Sequence, residues 1–231
     1  MKLRNYLLSA VCLIMPFAAA NAQEKPSDAK TVEPTTKIVK KANQRPVETT
    51  KSAPIELFEK ATVEEMAKQC VKFETEAGAI EFEMYPESAP ESVRGFLNLA
   101  ATGALDTTIF SRVVPGFVIQ GGDLFTREKM TPEFDKRARR LLPDEPSQIK
   151  HERGILSMAR SDTPNSASTH FFILLSEART LDGSFAAFGR VTKGMETVEA
   201  INKMPIEGEK PAKPVRITKA IVAPCLVQQK L

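Results

Sequence analysis

Arg112, Phe117 and Gln120 fall within nine residues of an otherwise apolar stretch, the run Phe-Ser-Arg-Val-Val-Pro-Gly-Phe-Val-Ile-Gln-Gly-Gly-Asp at residues 110–123. A guanidinium and a primary amide are costly on an apolar strand unless they face something polar. Arg112 offers N–H donors in a rigid fork. Gln120 offers a donor and an acceptor. Phe117, with Phe171, Phe172 and Leu181 further along, offers apolar walls. None of these groups is a nucleophile, so such a pocket binds and polarises without forming a covalent bond.

Other chemistries find little support. There are two histidines, His151 and His170, with no cysteine beside either and no HExxH spacing, so no metal is expected. No GxSxG, GxGxxG or Walker sequence occurs, and no cofactor is expected. Cys70 and Cys225 lie far apart rather than in CxxC, which argues against thiol–disulfide exchange. Rotation about an X–Pro bond needs only the groups that are present. Its barrier, about 18–20 kcal/mol, comes from amide resonance. The barrier falls when the prolyl nitrogen pyramidalises and a donor captures its lone pair, while an apolar slot grips the ring.

The chain of 231 residues suffices for one sizeable domain. Its first 22 residues read as a secretory signal: Lys2 and Arg4, an apolar run at 7–19, and Ala20-Asn21-Ala22 as a cleavage site. The apolar run is short for a bilayer span, which takes about 20 residues. Removing residues 1–22 lowers the net charge from +3 to +1, no electrostatic footprint for nucleic acid. Export leaves two cysteines in an oxidising compartment, either paired or separately buried. Residues 23–53 read as a disordered linker with seven Lys/Arg against four Asp/Glu. Residues 54–69 read as a short helical extension with Ile55, Phe58, Val63 and Met66 on one face.

The folded domain is expected at 70–226, with a tail at 227–231. Val71, Phe73 and Thr75, then Ile80, Phe82 and Met84, alternate around a Gly-containing turn and predict a hairpin. Pro90 to Gly103 predicts a helix with Val93, Phe96, Leu97 and Ala100 inward. Short strand-like runs follow at 109–114, 117–120, 154–158, 170–175 and 185–191. A second helix is expected near 195–203 and a last strand at 215–222. The pattern predicts an antiparallel barrel with two helical caps. Within the irregular segment 124–153, the cluster Lys136-Arg-Ala-Arg-Arg140 reads as a solvated helix face.

Residues 110–123 resemble the signature of cyclophilin-type peptidyl-prolyl isomerases. Gly154-Ile-Leu-Ser-Met-Ala159, Phe171-Phe-Ile173, Leu181-Asp-Gly183, Phe188-Gly189 and Gly194-Met195 follow in the order expected of that family. The resemblance covers about 71–223, and with the signal sequence the chain looks like an exported bacterial member. It implies a mainly β fold, a closed eight-stranded antiparallel β-barrel capped by two α-helices. It implies that Arg112 is the catalytic arginine and Gln120 the orienting glutamine. Phe117, Phe172 and Leu181 would wall the proline pocket, with Val118 where Met is usual. Ala159 and Arg160 would bind the backbone of the preceding residue.

Four positions depart from the family pattern: Ser111, His170, Thr180 and Phe185. His170 and Phe185 stand at substrate-facing positions, so peptide preference and affinity for cyclosporin-type ligands are left open. Barrel closure in the family pairs the first and last strands, which would bring Cys70, before the first, to Cys225, after the last, as a disulfide. The expected partners are proline-containing peptides and unfolded exported proteins, met by a monomer in the periplasm. The alternative is a peptide-binding chaperone or scaffold that keeps the pocket with little turnover.

Overall fold

The computed structural model describes residues 56–225. The expected signal sequence, the linker, Ile55 and the C-terminal tail lie outside the described residues. In chain order the elements are α1 (Val63–Ala67), β1 (Gln69–Thr75), β2 (Gly78–Met84), α2 (Pro90–Ala101), β3 (Arg112–Val114), β4 (Val118–Gly121), α3 (Pro132–Ala138), β5 (Ile155–Met158), β6 (Phe171–Leu174), β7 (Ala187–Lys193), α4 (Met195–Asn202), β8 (Ile206–Glu207), β9 (Lys210–Pro211) and β10 (Ile217–Pro224).

The period-2 runs behave as their alternation requires. β1 and β2 pair antiparallel, with Val71 opposite Phe82 and Phe73 opposite Ile80, and all four side chains are buried. α2 starts at Pro90, whose missing N–H costs nothing there. Its N-cap residue Ala89 has no capping side chain. The Glu145 carboxylate does that work from a distance, accepting from the N–H groups of Glu91 at 2.8 Å and Ser92 at 2.7 Å. The buried face of α2 meets the sheet in an aromatic core: Phe96 packs edge-on against Phe171 and Phe188, with centroids 5.4 and 5.1 Å away.

Eight strands form one sheet in the order β10-β1-β2-β7-β5-β6-β4-β3. The sheet curls but does not close, which corrects the expectation of a closed barrel. Between its end strands, β10 and β3, there is one isolated bridge, Ile109 to Arg216, just before β3 begins. Past that point the edge of β3 has another partner. The Val113 N–H donates to the carbonyl of Glu209, in the turn of the β8–β9 ribbon, at 2.8 Å. That two-stranded ribbon was not visible in the sequence, because strands of two residues carry no period.

Three local expectations also change. The helical extension shrinks to α1, because Thr62 caps the helix: its hydroxyl accepts from Glu65 N–H while the Glu65 carboxylate accepts from Thr62 N–H. Arg137, in the basic cluster, is buried rather than solvated. It donates to the Gly95 carbonyl at 3.2 Å and pairs with Glu56 at 3.4 Å. Cys70 lies inside β1 rather than before it, opposite Ala223 of β10. The structure joins Cys70 to Cys225, with Cα atoms 4.8 Å apart.

Candidate active site

The turn between β3 and β4 spans only residues 115–117, so their pairing is local and places Arg112 directly opposite Gln120. Arg112 Nη1 donates to Gln120 Oε1 at 3.3 Å. Gln120 in turn stands opposite Phe172 of β6. The paired glycines after it serve close packing. A Cβ on Gly122, whose φ is +87°, would come within 2.2 Å of the Thr169 carbonyl oxygen.

Beside this polar pair lies an apolar cluster separate from the main core. Val118, Ile155, Phe172, Leu174, Ala178 and Ala187 are its buried floor, and Phe117, Ala159, Leu181 and Phe185 pack on it half-exposed. The structure thus gathers Phe117, Val118, Phe172, Leu181 and Phe185 from three separate stretches of chain. Phe172 and Phe185 meet edge-on, 6.2 Å between centroids.

Arg160 does not point freely into solvent. Its guanidinium lies 4.8 Å over the Phe185 ring and donates to the carbonyls of Ser161 and Ser184 at 2.9 and 3.2 Å. It therefore braces the Phe185 wall. The Ala159 N–H is taken by the His170 carbonyl at 3.0 Å. His170 is half-exposed, with Nε2 3.8 Å from Asp123 Oδ1.

Three supporting residues were given no role by the sequence. Glu209 grips Arg112 in a fork, its carboxylate oxygens 2.6 Å from Nε and 3.2 Å from Nη2. These bonds hold the Glu209 carboxyl below the usual carboxylate range. Asn202, buried at the end of α4, accepts from Gly116 N–H at 2.7 Å and donates to the carbonyls of Val114 and Val118 at 2.9 and 3.1 Å. It pins the turn that carries Phe117. His151 is fully buried, with Nδ1 3.1 Å from Asp182 Oδ1 and Nε2 3.1 Å from Ser157 Oγ. Asp182 follows the wall residue Leu181, and Ser157 pairs with Phe172, so the imidazole ties two walls together. Burial pushes its pKa below the ordinary histidine value, and Asp182 opposes that in part.

A cleft of about 770 Å³ lies elsewhere, between α3 and the segment at 56, lined by Glu56, Phe134, Arg137 and Arg140 among others. Arg137 and Arg140 already pair there with Glu56, and Arg140 also with Glu59.

The family described as cyclophilin type peptidyl-prolyl cis-trans isomerase/CLD matches residues 70–222. A peptidyl-prolyl cis-trans isomerase of Arabidopsis thaliana is 41% identical over 147 residues, 63% of this chain and 65% of that one. One of Acinetobacter baylyi is 35% identical over 164 residues, 66% of this chain and 84% of that one. A solved cyclophilin type isomerase of Cryptosporidium parvum superposes with a TM-score of 0.60 at 30% identity, covering 68% of this chain and 99% of that one. The same Cryptosporidium parvum protein solved in the presence of the dipeptide Ala-Pro gives 0.59 at 32% identity, covering 67% of this chain and 98% of that one. With the match running through both β1 and β10, and through the Arg112–Gln120 pair between them, the chain belongs to the cyclophilin-type peptidyl-prolyl cis-trans isomerases.

Proposed function

We propose that this isomerase speeds X–Pro rotation in exported proteins, with Arg112 as the donor to the prolyl amide. The observation that carries the reading is the Arg112–Gln120 contact at the edge of the apolar cluster. Of the five N–H groups of a guanidinium, two go to Glu209 and one to Gln120, leaving one on Nη1 and one on Nη2. A proline ring seated on Phe172 between Phe117, Val118, Leu181 and Phe185 brings its nitrogen toward those donors. In the planar amide the nitrogen lone pair is delocalised and accepts poorly. In the twisted transition state it localises and accepts well. The donors therefore bind the transition state more tightly than the ground state, which is the condition for catalysis. Gln120 holds the guanidinium, and its amide N–H₂ is available to the substrate backbone.

The substrates are proline-containing peptides and unfolded chains, a reading supported by the Ala-Pro dipeptide supplied to the Cryptosporidium parvum relative. Export, with a periplasmic destination, rests on the signal-like residues 1–22. A protease-coupled proline isomerisation assay on wild type and Arg112→Ala tests the reading. Equal rates would remove Arg112 from the mechanism, and undiminished peptide binding without wild-type turnover would turn the pocket into a scaffold.

A further inference from the structure

We propose that Glu209 is a positioning residue for isomerisation: it locks the guanidinium of Arg112 so that its two uncommitted N–H groups always face the prolyl slot. The inference rests on the reading of Arg112 as the donor to the prolyl amide.

The clamp is bidentate, through Nε and Nη2, and its geometry is fixed from both ends. On one side, Arg112 is anchored in β3 opposite Gln120. On the other, Glu209 sits in a turn that Gly208 allows, with φ at +65°. That turn is held to β3 by the bond from Val113 N–H to the Glu209 carbonyl. Backbone and side chain of Glu209 thus grip two consecutive residues of the same strand.

A long arginine side chain, 41% exposed as this one is, ordinarily samples many rotamers. A donor that must meet a transient lone pair gains from losing that freedom beforehand. The alternative role for a carboxylate here is competition, in which it occupies the donors the substrate needs. The fork argues against competition. It takes Nε and one N–H of Nη2, Gln120 takes one N–H of Nη1, and the remaining two are untouched. The clamp need not open when a peptide binds. Nor is it a stability device, since so exposed a pair adds little to folding.

The test compares wild type, Glu209→Gln, Arg112→Ala and the double variant on a soluble Ala-Ala-Pro-Phe anilide, at low and high KCl. Glu209→Gln should lower kcat/KM about three- to five-fold while peptide affinity, read by NMR titration, and melting temperature stay at wild-type values. Raising KCl from about 0.05 to 0.5 M should slow wild type and leave Glu209→Gln unchanged, because screening weakens the ion pair only where it exists. In the Arg112→Ala background the Glu209 change should cost nothing further. Wild-type or higher activity in Glu209→Gln, beside a slow Arg112→Ala, overturns the clamp and leaves the donor role standing. A fast Arg112→Ala overturns the donor role itself.

Discussion

Arg112 and Gln120 stand opposite each other across the β3–β4 ladder, and the guanidinium donates to the amide oxygen at 3.3 Å. The glutamine is thus a holder of the arginine, with its amide N–H₂ left uncommitted by that bond. Arg112→Ala should cost about 10²–10³ in kcat/KM, the range seen when one preorganised donor is removed. Gln120→Leu should cost about ten-fold. In the double variant the losses should be less than additive, since the second change finds its partner already gone. Full additivity in the coupled assay would show that the two residues act separately.

Asn202 makes three hydrogen bonds to one tight turn from inside the fold. Asn202→Leu leaves the Gly116 N–H and two carbonyls without their buried partner. It should destabilise the domain by roughly 2–3 kcal/mol and loosen the Phe117 wall. Asn202→Asp should do no better, because it restores the acceptor but sets a carboxylate against two carbonyl oxygens. Thermal melts rank the three proteins, and an aspartate variant as stable as wild type would contradict the account.

His151 gives stability a pH dependence whose sign is fixed. Its folded-state pKa lies below the ordinary value, chiefly through burial. The unfolded chain titrates near 6.5. Below that pH the unfolded state holds more protons than the folded one, so stability is full at higher pH and is lost as pH falls. The slope is at most about 1.4 kcal/mol per pH unit for one such group. Urea melts between pH 7 and 5.5 should show this slope in wild type and a flatter one in His151→Asn. Identical slopes in both would assign the effect to other groups.

Cys70 and Cys225, 155 residues apart, fasten the open end of the β1–β10 ladder. A link across so long a stretch restricts the unfolded chain strongly, by up to about 5 kcal/mol. Cys225→Ser, or reduction of wild type, should lower the denaturation midpoint and speed amide exchange at residues 69–71 and 222–224 first. Free-thiol counting on the oxidised, denatured mature protein should find none. Two thiols per chain would refute the pairing in solution.

The Arg112–Gln120 strip was legible because it is local. A single tight turn joins Arg112 to Gln120, so one motif holds both and their facing positions follow from pairing. Phe172 and Leu181 could be offered as apolar walls from residue type, but their place beside Arg112, and any role for Phe185, came only through resemblance, since nothing in their own spacing says that β6 and the loop after it meet β4. Glu209 and His151 carried no local pattern at all: a lone carboxylate and a lone imidazole acquire meaning from partners supplied by the fold. Asn202 did leave a trace. It lies four residues after Val198, on the inward face of α4, where a polar residue needs a reason. The basic cluster misled because Arg137 is covered by a segment whose contribution to packing has no periodic signature. Barrel closure failed as an expectation for a similar reason, since the ribbon that takes the edge of β3 is too short to read.

That substituted edge bears on whether the sheet can take on another chain. A sheet's outer strands are natural templates for extended polypeptide. Here both templates are covered in part. Glu209 covers the middle amide of β3. Along β10, the Thr108 carbonyl accepts from Ile217 N–H and the Asp106 carboxylate from Ala220 N–H at 2.9 Å, with Lys219 paired beside it. A ninth strand thus finds the middle of β3 and the start of β10 already taken.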